Sequence, residues 1–202
     1  LYGRLVDVQP FGAVGTEVFD RLFLDYCVLG GMPEVEASYF AKGSFEGVPD
    51  IQRRIVNDYR ADVRKYAEGL DPQRIISVFD SVPAQLAKEN KKFQLSKVEH
   101  GARRKDYWGC VEWLQDAGIV TLCKAVDFPE LPLSAHMDAS RYKLYMSDSG
   151  LLVSRLDEES QEDVRIRRNL GTWKGGLVEN IVAEALVKSG AEIAYFKKEN
   201  AA

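Results

Sequence analysis

The sequence is poor in the residues that metal sites, disulfides and general bases use. Its 202 residues include two histidines and three cysteines, and no Cys-x-x-Cys pair occurs. Because the cysteines are odd in number, far apart and partly at apolar positions, we expect buried free thiols and no disulfide. A zinc site is not expected. His-Glu-x-x-His and Gly-x-Ser-x-Gly are also missing, so no complete catalytic constellation is visible.

Long apolar runs and phosphate loops are missing too. No stretch approaches the roughly 18 to 20 apolar residues of a membrane span, and no apolar leader opens the chain, so we expect a cytoplasmic protein without a membrane partner. Without a Gly-x-x-x-x-Gly-Lys-Ser/Thr motif, no ATP and no other cofactor is expected here. The chain opens at Leu1 and stops directly after a strand-like segment, so we expect a piece of a longer protein.

Positive charge, in contrast, is concentrated in one place. Residues 88–105 carry a net charge of +5 in a chain whose total is −4, so the remainder sums to −9. Such an excess is typical of a surface that faces phosphates, although charge alone does not distinguish DNA, RNA and an acidic protein. The residues expected to contact nucleic-acid phosphates are Lys91, Lys92, Lys97, Arg103, Arg104 and Lys105.

The same stretch has the pattern of a helix-turn-helix followed by a strand. Ser96 and Glu99 have the spacing of a capping box, which predicts a helix that ends near Gly101. The next helix should end at Gly118, before a β-prone run at 119–123. Its expected buried stripe is Tyr107, Cys110, Val111, Leu114 and Ala117. This order predicts a winged helix whose second helix presents its basic N-terminal end to a groove.

Trp108 does not belong to the apolar stripe of that second helix. Helical spacing places it with Glu112 and Gln115, so we expect it to lie against something other than this helix's own core, most simply a neighbouring domain. Trp108 is therefore a candidate interface residue. Winged helices also serve as protein-interaction modules, and a run of basic residues can simply be a solvated face, so both alternatives remain open beside nucleic-acid binding.

The first 90 residues have mainly helical patterns. Gly30-Gly31 should break the first helix, and Pro33 can begin another. A further helix covers about 50–67, and Asp71 with Pro72 should begin the next. Pro83 is expected to interrupt that helix. Ion pairs at helical spacing on the helix at 50–67 are expected to be structural. The stripe expected along the first helix is Phe19, Leu22, Phe23, Tyr26 and Cys27.

The last third of the chain mixes strands and helices. Two prolines in residues 128–133 predict a linker, and Asp148 should cap a short helix. The other predicted elements are a strand at 141–146, a charged surface segment at 157–168, a helix at 176–188 and a strand at 192–196. The residues that the helix at 176–188 should bury are Leu177, Val178, Ile181, Val182, Ala185 and Leu186.

Several strings match one known family in order and approximate spacing over nearly the whole chain. They are Gly30-Gly31-Met32-Pro33-Glu34-Val35, Tyr59-Arg60-Ala61-Asp62-Val63, Lys91-Lys92-Phe93, Ala117-Gly118-Ile119, the run 142–152 and Gly176-Leu177-Val178-Glu179-Asn180. Together they resemble the C-terminal region, of unknown biochemical role, of bacterial and archaeal AAA-type ATPases. For Gly30-Gly31-Met32-Pro33, the preferred interpretation is a structural turn between helices.

The resemblance implies an ATPase module, with its ATP and Mg²⁺, that precedes this region. It also implies that the closing part is similar to the PD-(D/E)XK nuclease fold, in which a helical glutamate and two further strands hold a divalent metal. Glu179 stands where that glutamate would be, and it is the candidate catalytic residue. Its alternative role is a surface or capping glutamate near the start of a helix. No metal ligand set is complete within the chain.

The fold predicted overall is mainly α with a smaller α/β part. It comprises a helical bundle or linker at 1–68, a winged-helix domain at 69–134, and an incomplete nuclease-like α/β unit at 135–202. The predicted function is an accessory nucleic-acid-binding or regulatory region of an AAA-type ATPase, without catalysis of its own. The alternatives are a protein-interaction module that docks on the ATPase module or on a partner protein, and part of a metal-dependent nuclease.

Overall fold

The computed structural model describes residues 12–88, 92–165 and 174–196. The described chain is mainly helical with one small mixed sheet, as the sequence predicts. Its helices are α1 (Ala13–Leu29), α2 (Pro33–Lys42), α3 (Val48–Tyr66), α4 (Pro72–Leu86), α5 (Arg104–Asp116), α6 (Ser149–Val153), α7 (Glu158–Arg165) and α8 (Lys174–Lys188). Its strands are β1 (Val120–Val126), β2 (Met137–Met146) and β3 (Ala194–Phe196).

The helix starts follow the predicted capping chemistry. Asp71 accepts a hydrogen bond from the backbone N–H of Gln73 at 2.9 Å and precedes Pro72 at the first position of α4. Asp148 accepts one from the N–H of Leu151 at 2.8 Å and caps α6. Both predicted caps are confirmed.

The prediction that Pro83 interrupts α4 is wrong, because the helix continues to Leu86. Proline has no N–H to donate to the carbonyl four residues earlier, which is that of Phe79. The Arg155 guanidinium donates to this Phe79 carbonyl at 3.0 Å instead. Val82, Pro83 and Leu86 are buried, so core packing and a distant arginine together compensate for the missing bond.

The predicted first helix of the helix-turn-helix is also wrong. The chain forms a single 3₁₀ turn at Leu95–Lys97, with no side-chain hydrogen bond at its start. Glu99 does not complete a capping box with Ser96, because its carboxylate accepts a hydrogen bond from the Tyr107 hydroxyl of α5. The second predicted helix is present as α5. It buries Tyr107, Cys110, Val111 and Leu114, whereas Ala117 lies beyond its end and is exposed.

The sheet has the strand order β2-β1-β3. β1 and β2 are antiparallel, from the pair Val120↔Met146 to the pair Val126↔Met137. β3 pairs in parallel with the end of β1, where Lys124 lies opposite Ala194. The predicted linker at 128–133 therefore belongs to the connection between two paired strands. On the other side of β2, the N–H of Phe93 donates to the carbonyl of Tyr142 at 2.9 Å.

One hydrophobic core runs through most of the described chain. It extends from Cys27 of α1 to Ala183 of α8 and includes α3, α4, α5, β1, β2 and α6. Residues from all three predicted domains share it. A smaller cluster of Leu29, Val35 and Val48 joins α1, α2 and the start of α3.

Two apolar stripes are less buried than predicted. In α1, Cys27 is fully buried, but Leu22 is 52% and Phe23 is 40% exposed. In α8, Val182 is 52% and Leu186 is 45% exposed, and Ala185 is also exposed. The residues of α1 that are buried lie at one end of the helix, and polar residues of α8 take buried positions. Helical periodicity alone therefore overestimated the buried area of both helix faces. Within the described ranges, no helix combines the length and apolar character needed to cross a membrane.

Candidate nucleic-acid interface

Three consecutive basic residues lie at the N-terminal end of α5. Arg103 is the N-cap residue, and Arg104 and Lys105 form the first turn. Arg103 and Lys105 are exposed. The Arg103 guanidinium also lies 3.2 Å from the Asp106 carboxylate, in a pair whose arginine side chain is 70% exposed. Since exposed pairs contribute little energy, this one leaves the Arg103 charge accessible to a ligand.

The other predicted phosphate contacts are distributed around the preceding turn. Lys97 is exposed at the end of the 3₁₀ turn, and Lys92 is half-buried just before Phe93. Lys91 lies outside the described residues. Lys97 therefore precedes, and residues 103–105 follow, the short connection from Val98 to Ala102.

Trp108 packs against β2 and not against the core stripe of its own helix. Its ring meets the Tyr142 ring edge-on, with 5.4 Å between centroids, and Tyr142 stacks on Phe93 at 5.8 Å. The Arg104 guanidinium lies 4.2 Å from the Trp108 ring centroid. Tyr142 belongs to the segment that the sequence assigned to the next domain. The cation–π contact between Arg104 and Trp108 holds the half-buried Arg104 side chain against this ring.

Arg74 is a further cation that the sequence argument missed. It belongs to α4, but its guanidinium lies 5.5 Å from the centroid of the Tyr107 ring in α5. No local signal marks Arg74, because only the packing of α4 on α5 brings it to this surface.

The Tyr107 hydroxyl remains protonated and donates to Glu99. Burial is the larger cause and the neighbouring Glu99 carboxylate the next, and together they raise the pKa of Tyr107 to about 12.

Acidic residues limit the positive field elsewhere. Asp127 and Glu130 occur in the connection between β1 and β2, where residues 127–136 include no lysine or arginine. Arg141, which follows on β2, is paired with Asp127 and with Asp138, the latter at 2.5 Å. The β1–β2 connection therefore does not extend the positively charged surface at the N-terminal end of α5 and the turn before it.

Glu179 has protein partners that account for its position. Its carboxylate accepts hydrogen bonds from the Lys143 ammonium and, at 2.9 Å, from the Tyr145 hydroxyl. Burial, and then the Glu179 charge, raise the pKa of Tyr145, so its hydroxyl stays protonated and donates. Among the described residues, no group of three His, Cys, Asp or Glu side chains could hold a metal. These contacts make Glu179 an ion-paired carboxylate that joins α8 to β2.

The other residues of the Gly176–Asn180 string serve packing and hydrogen bonding. A Cβ at Gly176 would overlap the carbonyl oxygen of Leu86, so α8 begins in close contact with the end of α4. Asn180 is fully buried. Its amide oxygen accepts from the N–H of Met146 at 2.8 Å, and its amide nitrogen donates to the carbonyl of the same residue at 3.0 Å.

The Gly30-Gly31 turn is a structural device, as predicted. Gly30 has φ of 68°, and a Cβ there would overlap the Asp148 carboxylate. The N–H of Gly31 donates to this carboxylate at 2.7 Å, so Asp148 holds the turn and caps α6 at once. Burial raises the pKa of Asp148, although the N–H groups of Gly31 and Leu151 oppose this effect.

A second buried carboxylate, Glu184 of α8, lies beside this turn. It accepts hydrogen bonds from the Tyr26 hydroxyl at 2.8 Å and from the N–H of Ser149 at 3.0 Å. The Lys188 ammonium contacts it at 2.5 Å. Glu184 therefore ties α8 to α1 and to the start of α6, which gives the cluster a structural role.

A known protein family matches most of the chain. The profile of a family described as "Domain of unknown function (DUF8612)" matches residues 20–162, which is more than half of the chain. No curated protein and no solved structure matches. The matched range begins in α1 and ends in α7, and it includes the basic end of α5, the β1–β2 pair and the Asp148 turn. The chain therefore belongs to the DUF8612 family.

Proposed function

We propose that this chain is a cytoplasmic accessory region of an AAA-type ATPase that binds duplex DNA through the N-terminal end of α5. One observation carries the proposal: Arg103, Arg104 and Lys105 lie where the recognition helix of a winged helix would begin. As a non-sequence-specific contact to phosphates, this interaction would position the ATPase on DNA and needs no catalytic residue in this chain.

The order of elements around α5 supports a winged-helix interpretation. α4 would be the first helix, the 3₁₀ turn at Leu95–Lys97 would replace a short second helix, and α5 would be the recognition helix. The β1–β2 pair would form the wing. The hydrogen bond from Phe93 to Tyr142 matches the short strand that precedes the second helix in such modules and pairs with the hairpin.

The test is a binding titration with a short mixed-sequence DNA duplex, measured by electrophoretic shift or fluorescence anisotropy. We expect micromolar binding at low salt. In the triple variant, Arg103→Gln, Arg104→Gln and Lys105→Gln should together weaken binding at least tenfold. The slope of log Kobs against log [NaCl], measured between about 50 and 200 mM, should be less negative by about 2 to 3 than that of wild type.

A matched control variant removes the same charge from another surface. Arg54→Gln, Arg64→Gln and Lys65→Gln change three exposed cations of α3 and should leave the DNA affinity within about twofold of wild type if the contact is local to α5. The proposal fails if wild type does not bind at micromolar protein, or if the α5 variant and the α3 variant bind equally well.

A second candidate function is protein docking, and the exposed apolar residues of α1 favour it. Val14 is 77% and Val18 is 41% exposed, and they line a cavity together with Glu17, Arg21 and Leu24. The partner that these residues fit is a second copy of the chain. In an antiparallel pair of α1 helices, Glu17 would lie opposite Arg21 and Val14 opposite Leu24, so charge and apolar surface would both match.

Charge exchange tests this second candidate. Arg21→Glu should shift sedimentation velocity from dimer toward monomer, because two acidic residues would then face each other across the pair. Combining Glu17→Arg with Arg21→Glu should restore the dimer. A wild type that stays monomeric at the highest soluble concentration, or a double variant that is no more dimeric than the single one, would rule out this arrangement.

A further inference from the structure

A small cavity lies between α3 and the turn that follows α6, and arginines dominate its walls. Its volume is about 200 Å³, and it is lined by Arg53, Val56, Arg60, Ser154 and Arg155. A water molecule takes up roughly 30 Å³ in the liquid, so the cavity has room for a tetrahedral oxyanion together with some water. None of the lining residues belongs to α5 or to the turn before it.

Arg155 forms the rigid wall of this cavity. Its side chain is 8% exposed, and its guanidinium donates to the Phe79 carbonyl at 3.0 Å and to the Asp80 carboxylate at 2.7 Å. It also lies 4.1 Å from the centroid of the Phe79 ring. Burial lowers the pKa of Arg155 to about 10, so the group is still charged at neutral pH.

The cations at the cavity outnumber the carboxylates that face them. Asp80 accepts from Arg60 at 2.9 Å through the same oxygen that it offers to Arg155, so one carboxylate serves two guanidinium groups. Arg53 forms an exposed pair with Asp50 at 3.0 Å. Arg53 and Arg60 are seven residues apart on one face of α3, about 10.5 Å along the helix axis, which long arginine side chains can bridge.

We propose that this cavity binds a phosphate group, held between the guanidinium groups of Arg53, Arg60 and Arg155. The planar guanidinium offers paired N–H donors that match phosphate oxygens, and partial burial strengthens such charge-assisted bonds. The ligand is inorganic phosphate or the phosphate of a small nucleotide. This site goes beyond the proposed DNA contact and shares no residue with it.

Calorimetric titration of the whole chain with inorganic phosphate, AMP and ATP tests the proposal. We expect binding of at least one of these probes at millimolar concentration or tighter. If inorganic phosphate produces binding heat, the ligand is the free ion. If only AMP or ATP produces binding heat, the ligand is a nucleotide. Arg53→Gln and Arg60→Gln should each weaken binding roughly tenfold, as expected for the loss of one charged hydrogen-bonding partner.

Arg54→Gln is the matched control. Arg54 is the next residue on α3 and carries the same charge, but it pairs with Glu34 and does not line the cavity. It should keep the wild-type affinity, and phosphate should raise the melting temperature of wild type and this variant but not that of Arg60→Gln. The proposal is overturned if no probe binds, or if all three variants bind as wild type does. The result for phosphate does not depend on whether the α5 variant loses DNA affinity, because the two proposed sites share no residue.

Discussion

At the scale of single residues, two buried carboxylates hold together parts of the chain that are far apart in sequence. Asp148 connects the Gly31 turn to the start of α6, and Glu184 connects Tyr26 of α1 to Ser149. Burying a charged group costs free energy unless hydrogen bonds replace its water. Each of these carboxylates accepts at least two hydrogen bonds, which is why both can be 3% exposed.

Asp148→Ala should lower the free energy of unfolding by about 2 to 4 kcal/mol, because it leaves the N–H groups of Gly31 and Leu151 without their acceptor and removes the cap of α6. Urea unfolding followed by circular dichroism measures the change. Asp58→Ala, at an exposed position of α3, is the control and should stay within about 0.5 kcal/mol of wild type. Equal stability of the two variants would contradict the role given to Asp148.

The raised pKa of Asp148 also predicts how stability depends on pH. Since the folded state holds this proton more tightly than the unfolded state, the contribution of the group is largest below its ordinary pKa of 3.8 and declines as pH rises through the raised value. Wild type should therefore exceed Asp148→Ala in unfolding free energy by more near pH 4 than near pH 7. A difference that grows with pH would show that the pKa is lowered.

The sequence predicted one half of the role of Asp148 and missed the other. An aspartate before a short apolar run is a local capping signal, and it identified the bond to Leu151. The bond to Gly31 joins residues 117 positions apart, and no spacing pattern reports such a contact. Arg74 and Arg155 were missed for the same reason.

At the scale of elements, close approach at glycine sets how the helices meet. α6 begins against the end of α1, and a Cβ at Gly150 would overlap the backbone of Leu29. Glycine is therefore required at position 150, because the backbone atoms of Leu29 cannot move aside as a flexible side chain can. The same reasoning applies to Gly176 against Leu86.

Gly150→Ala should destabilise the fold by about 1 to 3 kcal/mol or more, because the added methyl group separates α6 from α1. Gly109→Ala in α5 is the matched substitution. Its Cβ would lie 3.1 Å from a terminal methyl of Leu70, which can rotate, and alanine gains up to about 1 kcal/mol in helix propensity. Thermal unfolding should rank Gly150→Ala well below Gly109→Ala, and the reverse order would contradict the close contact.

The elements also show where sequence periodicity succeeded. α5 and strands at the positions of β1 and β2 were predicted because their apolar patterns and the Gly118 stop are local. The pairing of the two strands was not predicted, since the sequence assigned them to different domains. The 3₁₀ turn at Leu95–Lys97 was not predicted either, since the Glu99 carboxylate that should have closed a capping box is taken by Tyr107 of α5. At the candidate interface, the basic residues were read directly from the sequence, whereas the stacking of Arg104 on Trp108 needed the fold.

At the scale of the whole molecule, one core includes residues from all three predicted domains. It also contains three thiols, whose reactivity can be used to follow its unfolding. Cys27, Cys110 and Cys123 are all buried. Burial raises the pKa of Cys27 to about 12 and that of Cys123 to about 11. Their thiolate fractions at about pH 8 are therefore on the order of one in a thousand or less, and the folded protein should resist alkylation.

Pulsed iodoacetamide labelling in increasing urea should show all three cysteines reacting with one midpoint. This is the result expected when a shared core unfolds cooperatively. Labelling of Cys27 at lower urea than Cys110 and Cys123 would instead show that the segment at 1–68 unfolds separately. Mass spectrometry of the digested protein distinguishes the three sites.

Asn180 has a consequence for solubility. β2 is an outer strand of the sheet, and outer strands expose backbone groups that can recruit a strand from another molecule and start aggregation. Asn180 occupies the N–H and carbonyl of Met146, and Phe93 occupies the carbonyl of Tyr142. A side-chain amide and a short loop thus occupy backbone groups along this edge, which leaves fewer of them free to pair with a strand of another molecule, although neither Tyr142 nor Met146 carries a charge that would repel one.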